Sequence, residues 1–112
     1  MSATRETLAA ALSTVPGLRG HKLESTSPRK GDAWPLLNGI LRGPRGRTAE
    51  VSWRVIVILG GDVLEAEKML DGLWWPVCDA VRSLAVVDSA TASLYPTEAG
   101  DQYAAEFIMR SE

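Results

Sequence analysis

The sequence predicts an α+β domain: an N-terminal helix, three strands, one long kinked helix and two C-terminal strands, with the helices packed on a mainly antiparallel sheet. Three observations lead there. Apolar residues recur at helical spacing from Ala66 to Leu84. The clearest strand pattern, Ala49 to Leu59, comes shortly before it. The other strand-like segments follow one another directly, which implies hairpins rather than crossovers. With 112 residues and no internal repeat, residues 1–112 read as one domain around one core.

Each element has its own local reason. Thr4 to Val15 reads as a short helix, with Leu8, Ala9, Leu12 and Val15 on one side, ended by Pro16-Gly17. His21 to Ser27 alternates weakly and reads as a strand at a sheet edge, and the turn-rich Pro28 to Pro35 reads as a loop. Leu36 to Leu41 is the next strand, followed by Arg42-Gly-Pro-Arg-Gly-Arg47 as a hairpin turn. In Ala49 to Leu59, Val51, Trp53, Val55, Val57 and Leu59 share one face. The other face opens polar and turns apolar at Ile56 and Ile58, the pattern of a central strand.

Gly60-Gly61 breaks that strand, and Asp62-Val-Leu-Glu65 reads as a capping box in which the Asp62 carboxylate accepts from the Glu65 amide. The helix then carries Ala66, Leu70, Leu73, Val77, Val81 and Leu84 as a single stripe. Pro76 interrupts it, so a kink is expected between Gly72 and Pro76 with Trp74 and Trp75 wedged into the core there. Val86 to Tyr95 and Gln102 to Arg110 complete the chain as two strands joined around Pro96 to Asp101.

Composition narrows the function classes. The longest stretch free of Asp, Glu, Lys and Arg, Thr7 to Leu18, is broken and falls short of the roughly 18 apolar residues a bilayer-spanning helix needs. Met1 to Leu12, with Arg5 and Glu6 before a short apolar stretch, does not read as a secretory signal. One cysteine and one histidine leave no internal disulfide and no Cys- or His-rich metal site. Charge is unevenly distributed: residues 1–56 hold nine basic and four acidic groups, residues 57–112 three basic and ten acidic. A chain divided in this way suits head-to-tail association, provided folding does not intermix the charges on the surface.

Chemistry-bearing residues are sparse, and no catalytic, cofactor or metal site is expected. Cys78 lies in an apolar helical stretch and reads as a packed thiol, and His21 as a surface histidine. Gly60-Gly61 before a helix lacks the spacing and the Lys-Ser/Thr of a phosphate loop, and Asp62 puts a negative charge where phosphate would sit. Asp62, Glu65, Glu67 and Asp71 fall on different sides of the helix beside Lys68 and read as a solvated face. The most suggestive feature is the Arg42–Arg47 turn. Arg42, Arg45 and Arg47 project from a backbone of glycine and proline, which suits contact with phosphate or an acidic protein face, although solvent-exposed basic turns are common. Among the four tryptophans, Trp53, Trp74 and Trp75 fit a core. Trp34, before Pro35 in a loop, is either a core clamp or an anchor for a partner.

The helix beginning Thr4-Arg5-Glu6-Thr7-Leu8, Trp34-Pro35 before a strand, the arginine-rich hairpin, and the strand ending in Gly60-Gly61 before an Ala-Glu helix together resemble small tail-assembly proteins of actinobacterial siphophages. Among these the chain is most similar to tail terminator proteins. The resemblance spans nearly the whole chain through element order and loosely spaced residues. It implies an α+β subunit of a hexameric ring that caps the tail tube, stops its polymerisation and offers a surface for head joining. It also implies residence in the virion at the head–tail junction, with assembly in the host cytoplasm. The implied partners are further copies of the chain, the tail tube protein, a head–tail connector protein and DNA in the lumen, with no membrane. It brings no catalytic residues. A head–tail connector or stopper of the neck remains open as an alternative, as does a small ligand-binding domain or enzyme with a pocket between helix and sheet. A stand-alone nucleic-acid binder is disfavoured by the pI of about 5.4.

Overall fold

A computed structural model describes residues 3–24, 27–42, 49–98 and 100–111. Its elements are α1 (Arg5–Ser13), β1 (Arg19–Gly20), β2 (Asp32–Arg42), β3 (Ala49–Gly60), α2 (Val63–Val81), β4 (Val86–Thr97) and β5 (Gly100–Ser111). The strands form one five-stranded sheet in the order β1-β2-β3-β5-β4. β1 pairs with β2 in parallel, and the other three pairings are antiparallel. The chain is therefore an α+β fold with two helices on a mixed sheet.

The alternation along β3 organises everything around it, because both of its faces are buried. Trp53, Val55, Val57 and Leu59 join the main core with Leu8 and Leu12 of α1, Leu73, Val77 and Val81 of α2, and Phe107 and Met109 of β5. Both helices therefore cover the same face of the sheet. On the opposite face, Ile56 and Ile58 meet Trp34 and Ala104 in a second, smaller core flanked by Leu36 and Tyr95. The segment between β1 and β2 reaches this side: the Tyr95 hydroxyl donates to the Glu24 carboxylate, and Gln102 donates to the Pro28 carbonyl at 3.1 Å.

Both helices are capped at their starts. At α1, Thr4 and Thr7 form a reciprocal box: Thr4 Oγ1 accepts from the Thr7 amide at 3.1 Å, and Thr7 Oγ1 accepts from the Thr4 amide at 2.8 Å. Asp62 caps α2 through the Leu64 amide, at 2.9 Å, and not through Glu65 as expected; the carboxylate meets the first free N–H group within its short reach. α1 lies directly on β1. A Cβ at Gly20 would come within 2.0 Å of the Ala9 carbonyl oxygen, and Gly31, at φ 94°, would face the Gly17 carbonyl at 2.4 Å.

Several expectations are corrected. The strand expected over His21–Ser27 does not form among its described residues: the ladder with β2 covers Arg19 and Gly20, His21 adds one amide bond to the Ala33 carbonyl at 2.7 Å, and residues 25–26 lie outside the described residues. The loop expected over Pro28–Pro35 instead turns into β2 at Asp32, so Trp34 and Pro35 are strand residues. Proline is tolerated there because β2 has run past the end of β1 and its outer edge is free. The turn expected around Pro96–Asp101 shortens, since β4 extends to Thr97 and β5 begins at Gly100. α2 carries Pro76 inside the helix as the sequence indicates, but the expected placing of both its tryptophans in the core is corrected. Trp74 stacks on Phe107, with centroids 6.4 Å apart and planes at 15°. Trp75 is 70% exposed, because consecutive helical residues point about 100° apart and only one can face the sheet.

Phe107 is fully buried, so Phe107→Ala should destabilise the fold by about 3–5 kcal/mol. Trp75→Ala should change stability by no more than about 0.5 kcal/mol. Urea denaturation of both variants measures this difference.

Candidate functional site

The arginine-bearing turn is mounted on a long hairpin. β2 and β3 stay paired out to Arg42 and Ala49, so the hairpin expected on either side of the turn is present. Arg45 and Arg47, and the side chain of Arg42, lie outside the described residues. Beside this end of the sheet is a cavity of about 290 Å³ bordered by Glu50 of β3, Arg82 and Ser83 after α2, and Arg110 and Ser111 of β5. The Arg110 guanidinium holds both oxygens of Asp88, at 2.9 and 3.1 Å, so that charge is largely spent within the subunit. Ser111 Oγ is buried with no hydrogen-bond partner among the described residues.

Trp34, the other partner candidate, is fully buried. Its ring packs edge-on to Tyr95, with centroids 5.9 Å apart, within the second core. That placement corrects the reading of Trp34 as an anchor for a partner: as a β2 residue opposite Ile56, it faces the covered side of the sheet.

A polar cluster holds the segment that covers this second core. Asp32 is buried and accepts from Arg19 Nε at 2.8 Å, His21 Nε2 at 3.1 Å and the Arg29 amide at 2.8 Å. Arg19 also donates to the Lys30 carbonyl at 2.8 Å. Burial alone would raise the Asp32 pKa. The hydrogen bonds from Arg29, His21 and Arg19, with the Arg19 charge, outweigh it and hold the carboxyl below its ordinary value. Tyr95 behaves oppositely: burial, with the neighbouring Glu24, pushes its hydroxyl up to about 12. Burial and Asp79 also raise the Cys78 thiol, which disfavours the reactive thiolate. Asp62, Glu65, Glu67 and Asp71 are all exposed.

The sheet order has a consequence for charge. α1, β1 and β2 occupy one side of β3, while β5 and β4 occupy the other. Residues 3–42 hold six basic and three acidic groups; residues 62–111 hold three basic and nine acidic. The uneven distribution along the chain is carried only in part into a separation across the sheet, since Glu24 of the first group reaches Tyr95 of β4 and Arg29 borders Thr97 and Glu98 at the end of β4. Each side ends in an open strand. β1 engages only Asp32 and Ala33 of β2, and Arg5 Nη1 donates to the Pro35 carbonyl at 2.9 Å. Beyond Pro35, no strand among the described residues pairs with the outer edge of β2, and none with the outer edge of β4.

Sequence reasoning missed Asp32 and its partners, although Arg19 and His21, two residues apart, were placed to share one face of an extended segment. It also missed the open edges, which depend on which strands pair. Comparison with known proteins finds no matching family model, no matching curated protein and no matching solved structure.

The Asp32 cluster sets an acid limb for stability. A carboxyl whose pKa is depressed on folding contributes fully above its unfolded value of about 3.9, and its contribution is lost as pH falls through the lower folded value. Asp32→Asn should therefore be destabilising near neutrality, with the gap to the parent closing below about pH 4. Urea denaturation of both proteins across that pH range checks it.

Proposed function

We propose that this chain is a structural, non-catalytic subunit that associates head to tail into a closed ring, as a tail terminator of a siphophage tail. The observation that carries this reading is a single sheet with two open outer edges among the described residues, in a chain whose first half is basic and whose second half is acidic. Halves of opposite charge favour contact between unlike faces, and a heterologous contact closes into a ring when the rotation allows. The resemblance of the chain to tail terminators supplies the setting. There the ring, hexameric in that group, caps the tail tube, stops its polymerisation and receives the head–tail connector protein. The work is done by shape and charge, so the sparse chemical inventory is no obstacle. The protein would reside at the head–tail junction of the virion after assembly in the host cytoplasm.

Within such a ring the hairpin tips repeat around the axis, and Arg42, Arg45 and Arg47 of each copy form a basic girdle. Its contacts would be the tube end, an acidic neighbour or DNA in the lumen, and they would be salt-sensitive, since exposed charges are screened beyond about 8 Å at physiological ionic strength. A head–tail connector or stopper would share the ring and differ in its position along the neck.

Native mass measurement of the protein, alone and with tail-tube subunits, should give a closed oligomer, and labelled protein should map to the tube end in intact particles. Finding no copies there would overturn the reading; copies one layer towards the head would favour the connector. Changing Arg42, Arg45 and Arg47 together to Ser should alter folding stability by no more than about 0.5 kcal/mol while reducing completed tails or head joining. Undiminished yields of infectious particles at every salt concentration would reduce the turn to a turn.

A further inference from the structure

We infer that the interface between copies is a strand pairing: the outer edge of β2 past Pro35 in one copy hydrogen-bonds, antiparallel, to the outer edge of β4 in a second copy. This rests on the self-assembly reading above and names the surface that would carry it.

Exposed strand edges are normally blunted by lysine, proline, bulges, inward charges or a covering segment. Each edge has a stretch free of charge and proline, and the one such device within it is the β2 bulge between Leu37 and Gly39. Leu36 to Leu41 of β2 contains no charged residue and no proline, and Leu37, Ile40 and Leu41 are 50–62% exposed. Ser89 to Leu94 of β4 likewise carries no charge and no proline. Its bulge lies at one end, between Val87 and Ser89, and Pro96 lies near the other. The side chains are complementary in size. Leu37 pairs with Trp53 and Ile40 with Val51, which puts both on the helix-bearing face. Ala90 and Ala92, paired with Phe107 and Ala105, form a shallow row on that same face of β4. Large exposed side chains on one edge thus meet small ones on the other.

Direction and side-chain size select the pairing. β2 and β5 run opposite to β3, and β4 runs with it. A neighbour related by a rotation that keeps the strand direction therefore presents β4 antiparallel to β2 and keeps its helices on the same face. Twofold pairings of β2 with β2 would set large exposed side chains against large ones, whereas the β2–β4 pairing sets Leu37 and Ile40 against Ala90 and Ala92. Its span is the seven residues Leu36–Arg42, about 24 Å at ~3.4 Å per residue, and β4, with twelve residues, is long enough to match it. The same rotation gathers every Arg42–Arg47 turn on one rim of the ring.

The test uses the full chain carrying Cys78→Ser, with Ile40→Cys in one preparation and Ala90→Cys, Ala92→Cys or Leu94→Cys in others, so that register does not decide the outcome. Mixing the first with each of the others under mild oxidation should give a mixed disulfide dimer in at least one pairing, in excess of either homodimer. Leu37→Lys and Ala92→Lys, which keep the fold because both positions are exposed, should each weaken association by about tenfold or more. Trp75→Lys, on the outer face of α2, should leave it unchanged. Oligomers that persist in both edge variants, without mixed disulfides, would overturn the strand pairing and leave the ring standing. Homodimers alone would overturn it in favour of a twofold contact. A parent protein that stays monomeric, alone and on tube ends, would overturn both.

Discussion

Everything in this fold follows from a central strand that has to be buried on both faces. β3 places Trp53, Val55, Val57 and Leu59 on one side and Ile56 and Ile58 on the other, and neither row can be left in water at a side-chain transfer cost of about 1.5–3 kcal/mol per large apolar residue. The first row receives two helices. The second receives Trp34, Tyr95 and the segment linking β1 to β2, a thinner cover that needs anchoring. Asp32 supplies the anchor by gathering Arg19, His21 and the Arg29 amide around one buried carboxylate. A charge at that depth is tolerable only because its hydrogen-bonding capacity is taken up on the spot.

That cover spans the face of the sheet from Trp34 to Tyr95 and leaves the outer strand edges unpaired. β1 is two residues long, so among the described residues most of β2 has no outer strand, and β4 terminates the sheet on the far side. Because β3 also divides the chain near the point where its charge changes sign, the two open edges belong to sequence segments of opposite net charge. The features that suggest assembly, namely polarity, open edges and the arginine turn at one end, are thus consequences of the requirement that built the core. No further architecture is needed to explain them.

The parts legible in the sequence were those written in local period. The alternation of Ala49–Leu59 placed β3 at the centre, and the stripe through Ala66, Leu73, Val77 and Val81 oriented α2 correctly. The start of β2 was hidden because Gly31-Asp32 and Trp34-Pro35 carry turn chemistry, while an edge strand without an outer partner accepts proline. Residues 21–24 have alternation but, after the single His21 bond to Ala33, no described strand beside them to pair with, and period alone does not supply one. Trp75 could have been placed outside from its angle to Val77, had the two adjacent tryptophans not been treated as a unit. Of the candidate site, the hairpin strands on either side of the arginine turn were visible, while the turn itself lies outside the described residues. The burial of Trp34, the Asp32 cluster and the open edges were not, because each depends on contacts between residues far apart in the chain.

The central claim is that two specific edges of this sheet are buried against further copies of the same chain. Amide hydrogen exchange, measured residue by residue as protein concentration is raised, addresses it most directly, since an edge N–H group exchanges freely until a strand covers it. The account predicts that protection will rise with concentration along residues 36–42 of β2 and along β4, while β3 and β5 stay protected throughout and the outer face of α2 does not change. Self-association accompanied by unchanged, rapid exchange along both edges would contradict it.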